Sequence, residues 1–314
     1  MENNIIKGVF PAIVTPMKRD DNRLRHRINY DILPRYLDFL AKYVNGFVVC
    51  GCTGADALLS HDEQLEFIKG ANNIIKELEK EHDKPLLVIA GDGSNFTYEA
   101  CELTNKVEGE TGITHHLQIS PYKVKPTQDG IKKHYEAVAE GIEGKIIMYS
   151  VNGRTGGQGI LPETAVYLAE HDNIVAIKEA SAGEGENVRR AREVMEGVKA
   201  KGLDFTVLSG DDDATLQMMR YGATGVISVA ANAAPLLVSR MVGRELKGLS
   251  DQADKYYEKL QPLFKVLFTE NNPQDVMYAL NYIGYDVGVP RLPLVETTNN
   301  AKQKIEAVID NIVG

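Results

Sequence analysis

Eight short runs of β-branched and other apolar residues recur along this chain, at residues 9–15, 46–50, 85–90, 113–120, 145–149, 174–178, 205–209 and 224–229. Most are continuous apolar stretches rather than alternating ones, the pattern of strands covered on both faces in a parallel sheet. Between them lie segments with helical spacing: Leu65, Ile68, Ile74, Ile75 and Leu78, then Val188, Ala191, Met195 and Val198, then Leu216, Met218 and Met219. A strand–helix unit repeated eight times, at intervals of about 30 residues, constrains the chain to a (β/α)8 TIM barrel of the α/β class. The runner-up, a doubly wound open sheet, usually needs fewer strands and a glycine fingerprint after its first strand, and none follows Thr15. The strand signal stops near residue 235. Four helical stretches follow, at 235–247, 252–268 with a kink expected at Pro262, 274–283 and 300–312. The expected organisation is a barrel catalytic domain over residues 1–234 and a C-terminal helical subdomain over 235–314.

Composition narrows the function classes. With 314 residues, 43% hydrophobic and 25% charged, the chain has enough material for one large barrel core. A formal net charge of −9 disfavours nucleic acid and anionic membranes as partners. Met1-Glu2-Asn3-Asn4 lacks the basic start and apolar run of a signal peptide. No apolar stretch approaches the roughly 20 residues of a membrane span. Three cysteines, Cys50, Cys52 and Cys101, form no metal pattern, and their odd number fits a reduced, cytoplasmic protein.

Barrel enzymes carry their chemistry at the C-terminal ends of strands and in the loops that follow. That rule selects Gly51-Cys52-Thr53-Gly54, Ser120-Pro121-Tyr122-Lys123, Tyr149 through Arg154, Lys178, Ser209-Gly210-Asp211 and Ile227-Ser228. Lys178 ends the most apolar run, Ile174-Val175-Ala176-Ile177. An amine at an apolar barrel mouth is well placed to be partly neutral, and a neutral amine attacks a ketone to form a Schiff base. Tyr149 offers a phenol one strand away and Thr53 a hydroxyl to relay protons. Arg154 offers a permanently charged fork suited to a carboxylate. The backbone N–H groups of residues 51–54 offer a cradle for a second carboxylate. Taken singly, Lys178 reads equally as a solvated strand end, Tyr149 as a packing residue and Arg154 as a surface ion pair. Their convergence on one barrel mouth carries the stronger claim.

These residues resemble the dihydrodipicolinate synthase / N-acetylneuraminate lyase family of class I, lysine-dependent aldolases. The resemblance runs from Gly8 to about Leu294. It rests on Val14-Thr15-Pro16-Met17, Gly51-Cys52-Thr53-Gly54, Leu59-Ser60-His61-Asp62-Glu63, Tyr149 to Gly156, Ile177-Lys178-Glu179-Ala180-Ser181, Leu208-Ser209-Gly210-Asp211-Asp212 and Gly225-Val226-Ile227-Ser228-Val229. It implies an imine between Lys178 and pyruvate, with Tyr149 and Thr53 moving protons and Cys52, Gly210 and Ile227 lining the substrate site. Arg154, in Arg-Thr-Gly, resembles the dihydrodipicolinate-forming branch, where it is expected to hold the carboxylate of L-aspartate 4-semialdehyde. The implied activity condenses that aldehyde with pyruvate to 4-hydroxy-tetrahydrodipicolinate. No metal or organic cofactor is implied, because the imine itself stabilises the carbanion. The implied assembly is a homotetramer or homodimer.

The chain departs from the family pattern at several points. The usual Gly-Thr-Thr-Gly-Glu is Gly51-Cys52-Thr53-Gly54-Ala55, so a thiol replaces a relay hydroxyl. The usual Pro-Tyr-Tyr is Pro121-Tyr122-Lys123, and the usual Asn and Pro after Tyr149 are Ser150 and Asn152. A lysine effector site is implied at Ala57, His61, Asn95, Glu99 and Tyr122, with Asp56 and Gln64 departing from a common pattern. The alternative reading of His61, Asn95 and Glu99 is helix-start chemistry.

Other motifs carry less. Asp211-Asp212-Asp213 is expected to cap a helix rather than to bind a metal. His115 and His116, adjacent in a strand, point to opposite faces. The glycine-rich stretch at 153–159 is followed by no Gly-Lys-Ser/Thr, which argues against a nucleotide loop. Two alternative functions stand beside the main one: an aldolase for a 2-keto-3-deoxy sugar acid, and a non-catalytic homologue that binds a keto acid.

Overall fold

The computed structural model describes residues 5–20, 25–157, 159–181 and 185–313. The reading of Met1-Glu2-Asn3-Asn4 lies outside the described residues, as does Gln158 of the glycine-rich stretch. Each of the eight apolar runs coincides with most of a strand: β1 (Gly8–Pro11), β2 (Gly46–Val49), β3 (Leu87–Ala90), β4 (His115–Ile119), β5 (Lys145–Ser150), β6 (Ile174–Glu179), β7 (Thr206–Ser209) and β8 (Gly225–Ser228). They form one sheet in the order β1-β8-β7-β6-β5-β4-β3-β2. The ladders from β3 to β8 are parallel. A parallel bridge between Ala12 and Val48 sets the continuation of β1 beside β2, and the Ile13 N–H donates to the Val48 carbonyl at 3.0 Å. Sequential strand order closed on itself is the (β/α)8 barrel expected from the repeat. Every residue of β6, β7 and β8 is buried, which is why these runs read as continuously apolar.

The intervening helices are α1 (Leu33–Ala41), α2 (His61–His82), α3 (Thr97–Thr111), α4 (Gln128–Gly141), α5 (Asn152–Thr155), α6 (Pro162–Leu168), α7 (Glu186–Ala200) and α8 (Thr215–Tyr221). After β8 the remaining long elements are helices: α9 (Pro235–Glu245), α10 (Ser250–Val266), α11 (Gln274–Tyr282) and α12 (Asn299–Val313). Pro262 lies inside α10, which continues past it.

The chain divides into two compact units, Met1–Gly8 with Ile89–Ile227, and Val9–Val88 with Ser228–Gly314. The first unit is built on β4 to β7, with Ile146, Ile147, Ala176, Ile177, Val207 and Leu208 fully or almost fully buried. In the second unit α9 and α12 pack on α10, and α11 packs on α12. Ser60 and Glu63 start α2 with a reciprocal cap: the Glu63 N–H donates to Ser60 Oγ at 3.2 Å and the Ser60 N–H to Glu63 Oε2 at 3.1 Å. The same carboxylate accepts two bonds from buried Arg291, at 2.8 and 2.9 Å. The Arg291 bonds outweigh partial burial and hold the Glu63 carboxyl down at about 2. One acidic residue thus caps a helix and ties the C-terminal segment to it.

One local expectation fails. The acids at 211–213 do not cap α8, whose N-cap is Ala214 with no side-chain bond. Asp211 instead accepts the Asp213 N–H at 3.2 Å and the Asn187 side-chain amide at 2.9 Å. Its short carboxylate reaches the N–H two residues on, and the helix begins too late to meet it.

Candidate active site

In the first unit, three parallel strands meet at Lys178. It pairs in register with Tyr149 of β5 and Leu208 of β7. Lys178 is only 6% exposed, although it stands at a strand end. Its Nζ lies 4.1 Å from the centroid of the Tyr149 ring, and Tyr149 is itself buried. An ammonium over a ring face gains from the ring quadrupole, while an apolar, desolvated setting favours the neutral amine. The room for the lysine stem comes from Gly210. A Cβ there would sit 2.8 Å from Lys178 Cε and 2.6 Å from Ala180 Cβ. The Gly210 N–H donates to the Glu179 carbonyl at 2.8 Å, which holds the loop after β7 against β6. Lys178, Tyr149 and Gly210, all selected from the sequence, thus stand together.

The other residues expected in this unit lie in the loops and strand ends around it. Arg154 is exposed on the single turn α5, where its N–H donates to the Val151 carbonyl at 3.1 Å. Ile227 is buried in β8. Tyr122 is half-buried after β4, and Lys123 is exposed in a left-handed backbone conformation, φ 68°. Asn95 is half-buried, two residues before α3, and Glu99 lies in the first turn of that helix. The Ser94 hydroxyl accepts the Phe96 N–H at 3.2 Å and donates to Glu99 at 3.0 Å. Ser94 therefore supplies the helix-start chemistry suggested for Asn95.

In the second unit, Cys52 and Thr53 belong to a 3-10 turn, Cys52–Gly54, that follows β2. Thr53 is buried and Cys52 half-buried. The Gly54 N–H donates to the Gly51 carbonyl at 2.8 Å and the Ala55 N–H to the Cys52 carbonyl at 3.1 Å. The expected backbone cradle at 51–54 is thus reduced, because the turn uses the Gly54 N–H internally. Thr53 Oγ1 accepts a bond from the Asn272 side-chain amide at 3.0 Å. His61 is exposed as the first residue of α2.

Sequence reasoning missed several buried polar residues. Asn272 comes from the segment between α10 and α11, 219 residues from Thr53, and carries no motif that links them. Glu179 adjoins Lys178 but lies on the opposite strand face, almost fully buried. Burial pushes its carboxyl up to about 7, against the opposing pull of Ser181 and Arg190. A second charged residue directly after a continuously apolar run was the available signal. A second buried cluster joins Asp92, His116 and Gln118: Asp92 lies 2.6 Å from His116 Nδ1 and 2.7 Å from the Gln118 amide nitrogen. Glu108 stands 3.2 Å from His116 Nε2. Burial disfavours the imidazolium, but the two carboxylates outweigh it and hold His116 up at about 9.

The sequence matches the dihydrodipicolinate synthetase family model over residues 5–312. Among curated proteins, the 4-hydroxy-tetrahydrodipicolinate synthase of Archaeoglobus fulgidus is 39% identical over 98% of this chain and 99% of its own. That of Methanocaldococcus jannaschii is 38% identical, with the same coverage. A crystal structure of a dihydrodipicolinate synthase superposes with a TM-score of 0.88 at 38% identity, covering 98% of this chain and 99% of the other. With strand order, lysine placement and nearly full-length similarity in agreement, the chain belongs to the dihydrodipicolinate synthetase family.

Proposed function

We propose that this chain is a Schiff-base-forming lyase of the class I aldolase type, condensing pyruvate with L-aspartate 4-semialdehyde to give 4-hydroxy-tetrahydrodipicolinate, a step towards diaminopimelate and lysine. The observation that carries the reading is the buried Lys178 at the end of β6, with its amine over the Tyr149 ring and Gly210 leaving room for its stem. The names of the full-length relatives support the same reaction.

In this reading the neutral Lys178 amine adds to the pyruvate ketone, and loss of water gives the protonated imine. The imine draws electrons from the neighbouring methyl carbon, which loses a proton and becomes an enamine. The enamine carbon attacks the aldehyde, and the new alkoxide takes up a proton. The amine of the aldehyde substrate then attacks the imine carbon, closes the ring and releases Lys178. Tyr149 and Thr53 carry protons in these steps, and Arg154 holds the aldehyde's carboxylate by a two-pronged charge-assisted contact. Cys52 and Ile227 bound the substrate space, and Lys123 takes the place of a relay phenol.

The proposal extends to a barrel domain over 1–234 with a helical subdomain over 235–314, a homo-oligomer, cytoplasmic action, and a lysine effector response through His61, Asn95, Glu99 and Tyr122. No helix among the described residues is long and apolar enough to cross a membrane. Borohydride added with pyruvate is expected to leave a reduced adduct on Lys178, read by peptide mass spectrometry. An unmodified Lys178 in active protein would overturn the mechanism. Product formation with aspartate semialdehyde, set against a panel of sugar aldehydes, tests the acceptor.

A further inference from the structure

The turn that carries Arg154 is pinned at both ends to one buried polar cluster, all within the first unit. At its start, Asn152 Oδ1 accepts the Ser181 hydroxyl at 3.2 Å. At its return, the Ile160 N–H donates to Ser150 Oγ at 3.1 Å and the Ile160 carbonyl accepts Arg190 Nη2 at 2.5 Å. Gln128 grips the same return segment, donating to the Gly159 carbonyl and accepting the Leu161 N–H, both at 3.0 Å. Gly159 lets the segment close on the turn: with φ 58°, a Cβ there would lie 2.0 Å from Asn152 Oδ1.

Glu179 is the acidic member of this cluster. One of its oxygens accepts the Ser181 N–H at 2.7 Å, and the other lies 3.8 Å from Arg190 Nε. Both Glu179 and Arg190 are almost fully buried. Placing an acid and a guanidinium there is costly unless each is held by several partners. Here Glu179 Oε2 and Arg190 Nε face each other with no closer hydrogen-bond partner, and Ser181 and Arg190, the neighbours of Glu179, bond the two ends of the Arg154 turn.

We infer that Glu179 is a positioning residue, acting through Ser181 and Arg190 to set where the Arg154 turn stands beside the end of β6. It tunes capture of the aldehyde's carboxylate while leaving the pyruvate step to Lys178 and Tyr149. The inference rests on the reading of Arg154 as the anchor for the aldehyde's carboxylate. Displacing a charged anchor by about 1 Å weakens productive binding by tenfold or more.

The test compares Glu179→Ala, Ser181→Ala and Arg154→Ala with the unaltered protein. Two readouts are taken: initial rates over a range of L-aspartate 4-semialdehyde, and borohydride trapping of pyruvate on Lys178. The expected result for Glu179→Ala and Ser181→Ala is a KM for the aldehyde raised about tenfold, with trapping kept within about twofold. If Glu179→Ala does not fold, Ser181→Ala, which removes a single hydroxyl, decides. An unchanged KM in Ser181→Ala, with a raised KM in Arg154→Ala, overturns the inference alone. An equal loss of trapping and aldehyde use also overturns it, because that marks a general structural role. An unchanged KM in Arg154→Ala overturns the anchor reading and the inference with it.

Discussion

The end of β6 and the start of β4 both bury a basic side chain, and they do so in opposite ways. Lys178 is packed on a tyrosine ring and the bare backbone of Gly210. His116 sits between two carboxylates, those of Asp92 and Glu108, and the Gln118 amide nitrogen donates to both Asp92 and the Thr104 hydroxyl. The second arrangement satisfies charge and fixes it, so His116 is held as an imidazolium. The first sets an amine against an aromatic face and beside a glycine. A basic residue ringed by acids serves the fold, whereas one set on an aromatic face beside a glycine is the kind the proposed imine chemistry calls for.

This contrast can be broken by experiment. Lys178→Ala is expected to abolish pyruvate trapping and lower turnover by on the order of a thousandfold or more, with little loss in a denaturant titration. His116→Leu should do the reverse, leaving buried acids without their cation at a stability cost of about 3 kcal/mol, read by the same titration. Equal stability losses in the two variants would erase the distinction. Gly210→Ala, whose methyl would collide with Lys178 Cε, should slow trapping by about ten- to a hundredfold while the fold survives. The smallest effect is a pH slope. His116 is raised from its ordinary 6.5 to about 9, so its stabilisation is complete below pH 6.5 and fades as pH rises through 9. Burial raises Asp92 as well, so both groups bind more protons in the folded state and stability falls with rising pH. His116→Leu should flatten that slope between pH 6.5 and 9, as followed by thermal unfolding.

Much of the fold was legible because a parallel barrel buries both faces of its strands, and continuous apolar runs such as 174–178 stand out in one dimension. Helix starts were less legible. Asp211 looked like a cap for α8, yet a one-residue difference in where a helix begins changes which N–H a short carboxylate meets. The strand-end rule selected Lys178, Tyr149 and Gly210 because they end apolar runs or directly follow them. It missed Asn272 and the Glu179 cluster, whose partners lie far apart in sequence or on the covered face of a strand.

By itself the sequence determined the repeat of eight strands, the lysine at the end of the sixth, and the family to which these motifs belong, since periodicity and local residue order are one-dimensional properties. The tertiary structure decided what surrounds each charge: that Lys178 meets a ring and a glycine, that His116 meets two acids, and that Glu179 meets Ser181 and Arg190. Burial and hydrogen bonding depend on which distant segments fold against a residue, and those contacts set its protonation and its freedom to react.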